Sequence, residues 1–131
     1  MHLERNEKAI LQRLLGEIPF EGSRELFDQI PFARVEDRSP TWVNLTMASG
    51  AARARFSRRV IPVEGRTLRD GEPAGGVLIF VEHGFLSAIE HFWYEAMPAT
   101  LPLASEMVVE RSRVTHTERR FWRFRKRRRE L

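Results

Sequence analysis

The chain has 131 residues, of which 42% are hydrophobic and 31% charged, values typical of one soluble globular domain. It contains no cysteine, which excludes disulfides, thiolate metal sites and a cysteine nucleophile. No apolar run approaches the roughly 18 residues of a membrane span, and the charged start of the sequence lacks the apolar core of a signal peptide. We therefore expect a cytoplasmic, bacterial-type protein with no membrane span.

The net charge of +4 is unevenly distributed along the sequence. Residues 111–131 contain ten Lys and Arg against two Glu, whereas residues 1–110 contain 12 basic and 16 acidic residues. A mildly acidic body is therefore followed by a strongly basic C-terminal element. We expect a single domain over 1–131, in which 111–131 is either a packed element or a tail.

Two amphipathic helices are predicted near the N-terminus. The first covers about residues 4–17, and Gly16 and Pro19 end it. Its apolar positions recur with helical spacing: Ile10, Leu11, Leu14, Leu15 and Ile18. The second starts near Ser23, a candidate N-cap, buries Leu26, Phe27 and Ile30, and stops at Pro31. Both helices are too short to form a core alone, so we expect them to pack on a sheet.

Strand patterns follow the helices. Residues 41–47 alternate, with Val43 on one side and Trp42 on the other, and further strand patterns cover 32–36, 53–63 and 107–109. The segment 66–76 contains Asp-Gly, Pro and Gly-Gly, so we expect an exposed loop there.

The central feature is a predicted hairpin over residues 76–94. Its strands, 76–82 and 85–94, are joined by the pair His83-Gly84, which favours a primed turn with positive φ. A regular ladder from this turn places Leu78 opposite Ile89 and Val77 opposite Glu90. Both faces are then largely apolar, as in a sheet with material packed on each side.

This pattern predicts an α+β fold: two N-terminal helices packed on an antiparallel sheet of four to six strands, with the hairpin in the centre and a basic C-terminal element. The second face of the sheet is a candidate interface with a protein partner or with a second copy of the chain. We place that interface at Phe85, His91, Trp93 and Tyr94.

Residues 60–103 read VIPVEGRTLRDGEPAGGVLIFVEHGFLSAIEHFWYEAMPATLPL. This run resembles a pattern in small uncharacterised bacterial proteins, chiefly actinobacterial, in which a PVEG strand leads through an Asp-Gly loop into a hairpin of the form LLxFVxDGxLSxLExxWY and a Pro-containing loop. The matching positions are Pro62-Val63-Glu64-Gly65, Asp70-Gly71, Gly84 to Ser87, Glu90 and Trp93-Tyr94. The helical element at 26–30 also fits, so the resemblance covers roughly residues 3–103. It implies no particular activity.

The chain departs from this pattern at one place. Many members carry a Cys-rich stretch of the form CxCGCxSxxL before the second strand, whereas residues 37–45 here read DRSPTWVNL. Any metal or redox chemistry of those cysteines is therefore excluded in this chain. The basic C-terminal element also lies outside the resemblance.

Catalytic chemistry has little support in the sequence. His91 with Glu90 and Glu95 would form at most a partial metal site, because Glu90 faces the other side of a regular strand. Ser87 lacks the strand-to-helix turn of a hydrolase nucleophile. Glu90 is more readily explained by an ion pair with a neighbouring Arg than by catalysis. We therefore predict no enzyme activity, no catalytic residue, no metal and no cofactor.

The basic C-terminal element interleaves arginines with aromatic residues, a composition that suits phosphates and unpaired bases. The candidate nucleic-acid-binding residues are Arg119, Arg120, Trp122, Arg123, Phe124, Arg125, Lys126, Arg127, Arg128 and Arg129. The same composition fits an anionic membrane surface or an acidic protein. It also fits aromatic residues that dock on the sheet while the arginines stay solvated or pair with the acidic body.

The sequence thus favours a non-enzymatic interaction module, either an adaptor or an immunity-like protein, by analogy with other small bacterial α+β domains. The alternative is a nucleic-acid-binding protein that acts through its C-terminal element.

Overall fold

The computed structural model describes residues 1–112 and confirms the predicted α+β class. The helices and strands in chain order are α1 (Arg5–Gly16), α2 (Ser23–Asp28), β1 (Ala33–Ser39), β2 (Trp42–Met47), β3 (Val63–Arg69), β4 (Glu72–Glu82), β5 (Phe85–Trp93) and β6 (Val108–Arg111). Short 3-10 turns at Ile30–Phe32 and Ala104–Glu106 complete the described elements. No helix within residues 1–112 is long and apolar enough to cross a membrane.

The strands of the described chain form one antiparallel sheet in the order β1-β2-β5-β4-β3-β6. The predicted hairpin, β4 with β5, occupies its centre. Helices α1 and α2 pack on one face, where the apolar side of α1 meets alternate residues of β2, β4 and β5. We call this the helix face and the opposite side the second face.

Helix α1 begins at a capping box, which ties its first turn to the sheet. The backbone N–H of Glu4 donates to the Glu7 carboxylate at 2.7 Å, and Glu7 also accepts hydrogen bonds from the Arg38 guanidinium at 2.9 and 3.0 Å. These bonds satisfy an otherwise costly buried charge, because Glu7 is 1% exposed. They also raise the pKa of the Arg38 guanidinium.

The expectation of an exposed loop over residues 66–76 is wrong. Asp70 and Gly71 have φ values of 52° and 82°, the left-handed pair of a primed turn, and they join β3 to β4 as a second two-residue hairpin. The glycines that suggested a loop lie inside β4. A Cβ on Gly75 would collide with the carbonyl oxygen of Phe92, so close approach of two strands requires glycine at this position.

The central turn agrees with the sequence. His83 and Gly84 both have positive φ, 53° and 79°, as a primed turn requires. The predicted strand over 53–63, by contrast, is absent from the described chain apart from a single bridge between Val60 and Phe80. Strand β3 pairs with β4 from Gly65 onwards.

Candidate interaction face

A β-bulge in β5 decides which residues reach the second face. Val81 pairs with Leu86, but Phe80 pairs with Ala88, so Ser87 is an extra residue in the ladder. Beyond it Leu78 pairs with Glu90, and the regular register expected from the sequence is wrong by one residue. Because strand side chains alternate, this single insertion exchanges the faces of every following residue of β5.

The second face carries its own apolar cluster, formed by Trp42, Leu78, Phe80, Ala88 and Phe92. The Trp42 and Phe80 rings lie 5.3 Å apart between centroids. All five residues are between 0% and 5% exposed, although α1 and α2 lie on the opposite side of the sheet. Such burial is typical of a covered sheet face and not of a solvated one.

Carboxylates surround and interrupt this cluster. Glu90 lies opposite Leu78 on β4 and Trp42 on β2, and it is 1% exposed. Glu64, 7% exposed, is paired across the β3–β6 ladder with Glu110. Buried carboxylates need cationic or hydrogen-bonding partners, and two of them side by side repel each other.

One arginine belongs to the same surface. Arg66 reaches Glu110 with an Nε–Oε1 distance of 3.4 Å. Among residues 1–112, the charged side chains of Glu64, Glu90, Glu110 and Arg66 thus lie on the same side of the sheet. We call the apolar cluster together with these four charged residues the acidic aromatic face.

At its β2 edge the face continues into a polar network. The indole N–H of Trp42 donates to Asn44 Oδ1 at 2.6 Å, and the Asn44 amide donates to Asp37 Oδ1 at 2.8 Å. This chain of hydrogen bonds fixes the Trp42 ring in one orientation beside Phe80.

The four residues predicted as an interface divide between the two sides of the sheet. Phe85 and Tyr94 belong to the second side: the Arg53 guanidinium lies 5.8 Å above the Phe85 ring, and Tyr94, 62% exposed, contacts the Phe92 ring. His91 pairs with Val77, which belongs to the helix-face core, and Trp93 shares the side of His91.

On the helix face, His91 is buried and has a structural role. It is 6% exposed, and its Nδ1 lies 3.1 Å from the carbonyl oxygen of Thr100, which requires the proton to be on Nδ1. Among residues 1–112, no group of three His, Asp, Glu or Cys side chains is arranged to hold a metal ion.

An open cavity of about 560 Å³ lies beside the β4–β5 turn, and its lining includes Arg53, Glu82, His83 and Ser87. The Ser87 hydroxyl is buried and makes no hydrogen bond with the described part of the chain. A serine nucleophile needs a base within hydrogen-bonding reach, so this set lacks the required geometry.

Alternation in the sequence identified the outward side of Trp42 as part of this face. A regular ladder places Glu90 opposite Val77, on the helix face, and the bulge brings Glu90 and Phe92 to the second face. Strand order adds Glu64 and Glu110, which no sequence signal marked. All ten candidate nucleic-acid-binding residues, from Arg119 to Arg129, lie outside the described residues.

Comparison of the chain with protein-family models, with curated proteins and with solved structures finds no match.

Proposed function

We propose that the chain is a non-enzymatic interaction module that binds a basic, aromatic-containing segment of a protein on its acidic aromatic face. The observation that supports this proposal is the combination of a separate aromatic cluster with three carboxylates on a sheet face away from both described helices. The aromatic residues of this face are of the types enriched in interface cores.

The chemistry of the face selects the kind of partner. Tyr94, 62% exposed and in contact with the Phe92 ring, presents an aromatic surface at the edge of the cluster, which favours aromatic rings and the flat face of a guanidinium. The partly exposed carboxylate of Glu110 at the border of the face favours a cationic partner, since an acidic one would add like charge beside it. An arginine-rich segment with interspersed aromatic residues satisfies both requirements.

The test uses a synthetic peptide with alternating Arg and aromatic residues, titrated into the ¹⁵N-labelled full-length protein. We expect chemical-shift changes in β2, β4 and β5 that include the Trp42 indole N–H. A matched peptide with every Arg replaced by Gln should bind at least 10-fold more weakly. Shift changes centred on α1, or equal affinity for both peptides, would contradict the proposal.

A charge-reversal pair locates the site. Glu110→Lys changes a residue of the face whose side chain is 20% exposed, whereas Glu21→Lys changes an exposed residue between α1 and α2, on the other side of the sheet. We expect the first substitution to weaken peptide binding and the second to leave it unchanged.

A second candidate function is nucleic-acid binding through the C-terminal element, because its arginines and aromatic residues alternate over 119–129. Affinity of the full chain for mixed single-stranded DNA and RNA, measured at low and moderate salt, tests it. A steep loss of affinity with salt, abolished when Arg127, Arg128 and Arg129 are replaced by Gln, would favour this function. The absence of binding at low salt would rule it out.

A further inference from the structure

We propose that the cavity beside the β4–β5 turn is a binding site for a small carboxylate whose apolar body carries a carbonyl or hydroxyl group. In this site the carboxylate pairs with Arg53, and the polar group of the body bonds to the Ser87 hydroxyl. The lining of the cavity shares no residue with the acidic aromatic face, so the inference is independent of the function proposed above.

The cavity forms where two neighbouring strands separate. Strand β2 pairs with β5 from Trp42, opposite Glu90, to Asn44, opposite Ala88. The next residues of the two strands, 45–47 and 85–87, line the cavity, and residues 48–51 after β2 add to the lining. Its volume of about 560 Å³ lies within the range of roughly 300 to 1,000 Å³ that is typical of small-molecule sites.

The β-bulge supplies a polar group to this cavity. Ser87 is the extra residue of the bulge, and bulges often redirect a side chain next to a functional site. Its Oγ atom is buried and makes no hydrogen bond within residues 1–112. A buried hydroxyl is stabilised when a partner arrives, so an oxygen atom on a bound molecule would be favoured at this place.

The charge at the opening selects an anion. Arg53 is exposed, its guanidinium lies 5.8 Å from the centroid of the Phe85 ring, and it forms no ion pair within the described part of the chain. Glu82, the acidic residue of the lining, is paired with Arg59 at 3.4 Å. One guanidinium matches the single charge of a carboxylate, whereas the nearby Glu82 disfavours the second charge of a phosphate monoester.

The apolar part of the lining fits the body of such a molecule. Leu45, Met47, Phe85 and Leu86 are contributed by the two separating strands. Apolar walls with a few well-placed polar groups are typical of sites for small organic molecules. The walls therefore favour an alkyl or aryl body, and the two polar groups fix its orientation.

The site is held in shape before any ligand binds. The Gln29 side chain donates to the carbonyl of Ala52 at 2.9 Å and to that of Gly84 at 2.8 Å. The backbone N–H of Ala54 donates to the carbonyl of Gly84 at 2.9 Å. Both neighbours of Arg53 are thus tied to the central turn, and a preorganised site loses less conformational entropy on binding.

The test uses benzoylpropionate, an aryl carboxylate with a carbonyl group in its body, titrated into the ¹⁵N-labelled full-length protein. We expect saturable shift changes at the amides of Met47, Gly50 and Ser87. The primary amide of the same compound lacks the charge and should bind at least about 10-fold more weakly. Shift changes confined to residues outside the cavity, or no saturable change up to the solubility limit of benzoylpropionate, would overturn the proposal.

A matched pair of arginine variants tests the carboxylate contact. Arg53→Gln should weaken the binding of benzoylpropionate at least about 10-fold and leave the binding of its amide unchanged. Arg55→Gln, at an exposed arginine that does not line the cavity, should change neither affinity. Equal effects of the two substitutions, or no effect of the first, would contradict recognition by Arg53.

Ser87→Ala tests the contact with the ligand body. We expect about a 5-fold loss of affinity for benzoylpropionate and no loss for phenylbutyrate, which has the same length without the carbonyl. The thermal unfolding midpoint should stay the same, because the Ser87 hydroxyl makes no hydrogen bond within residues 1–112. Equal losses for both compounds, or none for either, would overturn the role assigned to Ser87.

Discussion

Leu78 and Ile79 are neighbours on β4, both 0% exposed, and their side chains enter opposite faces of one sheet. Ile79 belongs to the core on which the apolar sides of α1 and α2 pack. Leu78 belongs to a smaller core rich in aromatic residues and bordered by carboxylates. One strand that is apolar on both sides therefore contributes to two separate cores.

The polar groups of the two faces differ in the same way. On the helix face the buried Gln29 side chain donates to the carbonyls of Ala52 and Gly84 and accepts from the N–H of Leu86, at 2.8 to 3.0 Å. These bonds connect the end of α2 to the central turn. On the second face, the buried polar groups include the carboxylates of Glu64 and Glu90.

The largest losses of stability are expected when the side chains of Ile79 and Leu78, one from each face, are shortened to Ala. Ile79→Ala should lower the free energy of unfolding by about 4 kcal/mol, because it leaves a cavity in the closed core. Urea denaturation measures this loss.

Leu78→Ala is the matched partner of that substitution. We expect a loss of about 3 kcal/mol, somewhat smaller than that of Ile79→Ala because Leu78 belongs to the smaller of the two clusters. A larger loss for Leu78→Ala than for Ile79→Ala in the same urea titration would contradict this order.

Gln29→Leu tests the connection between α2 and the turn. It leaves the buried N–H of Leu86 and the carbonyl of Ala52 without their partner, and we expect a loss of about 3 kcal/mol. Hydrogen exchange should accelerate first at the turn around Gly84. A loss below about 1 kcal/mol would mean that water replaces the amide.

Glu7→Gln isolates the charge in the first turn of α1. The amide can still accept the N–H of Glu4 in the capping box, so the expected loss, about 2 kcal/mol, is that of the charged hydrogen bonds from Arg38. Thermal unfolding of this variant and of Arg38→Gln should show similar losses. A far larger loss for Arg38→Gln would indicate that Glu7 remains charged and buried without its partner.

The smallest effect is expected at the surface of α1. The Arg13 guanidinium donates to Glu17 at 2.6 Å, and this hydrogen bond holds the pKa of Glu17 below its ordinary value. Glu17→Gln should cost about 0.4 kcal/mol, as for other exposed pairs of this spacing. The contribution is present above the ordinary carboxylate pKa and is lost as the pH falls through the lowered one. Unfolding measured from pH 7 to pH 3 should therefore show the two proteins converging in acid.

The local elements of this protein follow from its sequence. The apolar spacing and the Gly16 and Pro19 stops predicted α1, and the His83-Gly84 pair predicted the central turn, because helix periodicity and positive φ are properties of short segments. The Asp70-Gly71 hairpin carried the same turn signal. It was missed because the Gly and Pro residues inside β4 also suggest a loop. Gly75 is needed instead because β4 and β5 approach each other closely at this position.

The composition of the two faces was decided by the tertiary structure. Strand side chains alternate with a period of two, so one unpaired residue, Ser87, moves Glu90 and Phe92 to the second face and His91 to the helix face. A bulge forms where strand twist and packing on both sides favour it, and no local pattern in the sequence marks that position. The sequence alone determined that β5 is apolar on both sides, whereas the pairing of β5 with β4 determined which residues each side presents.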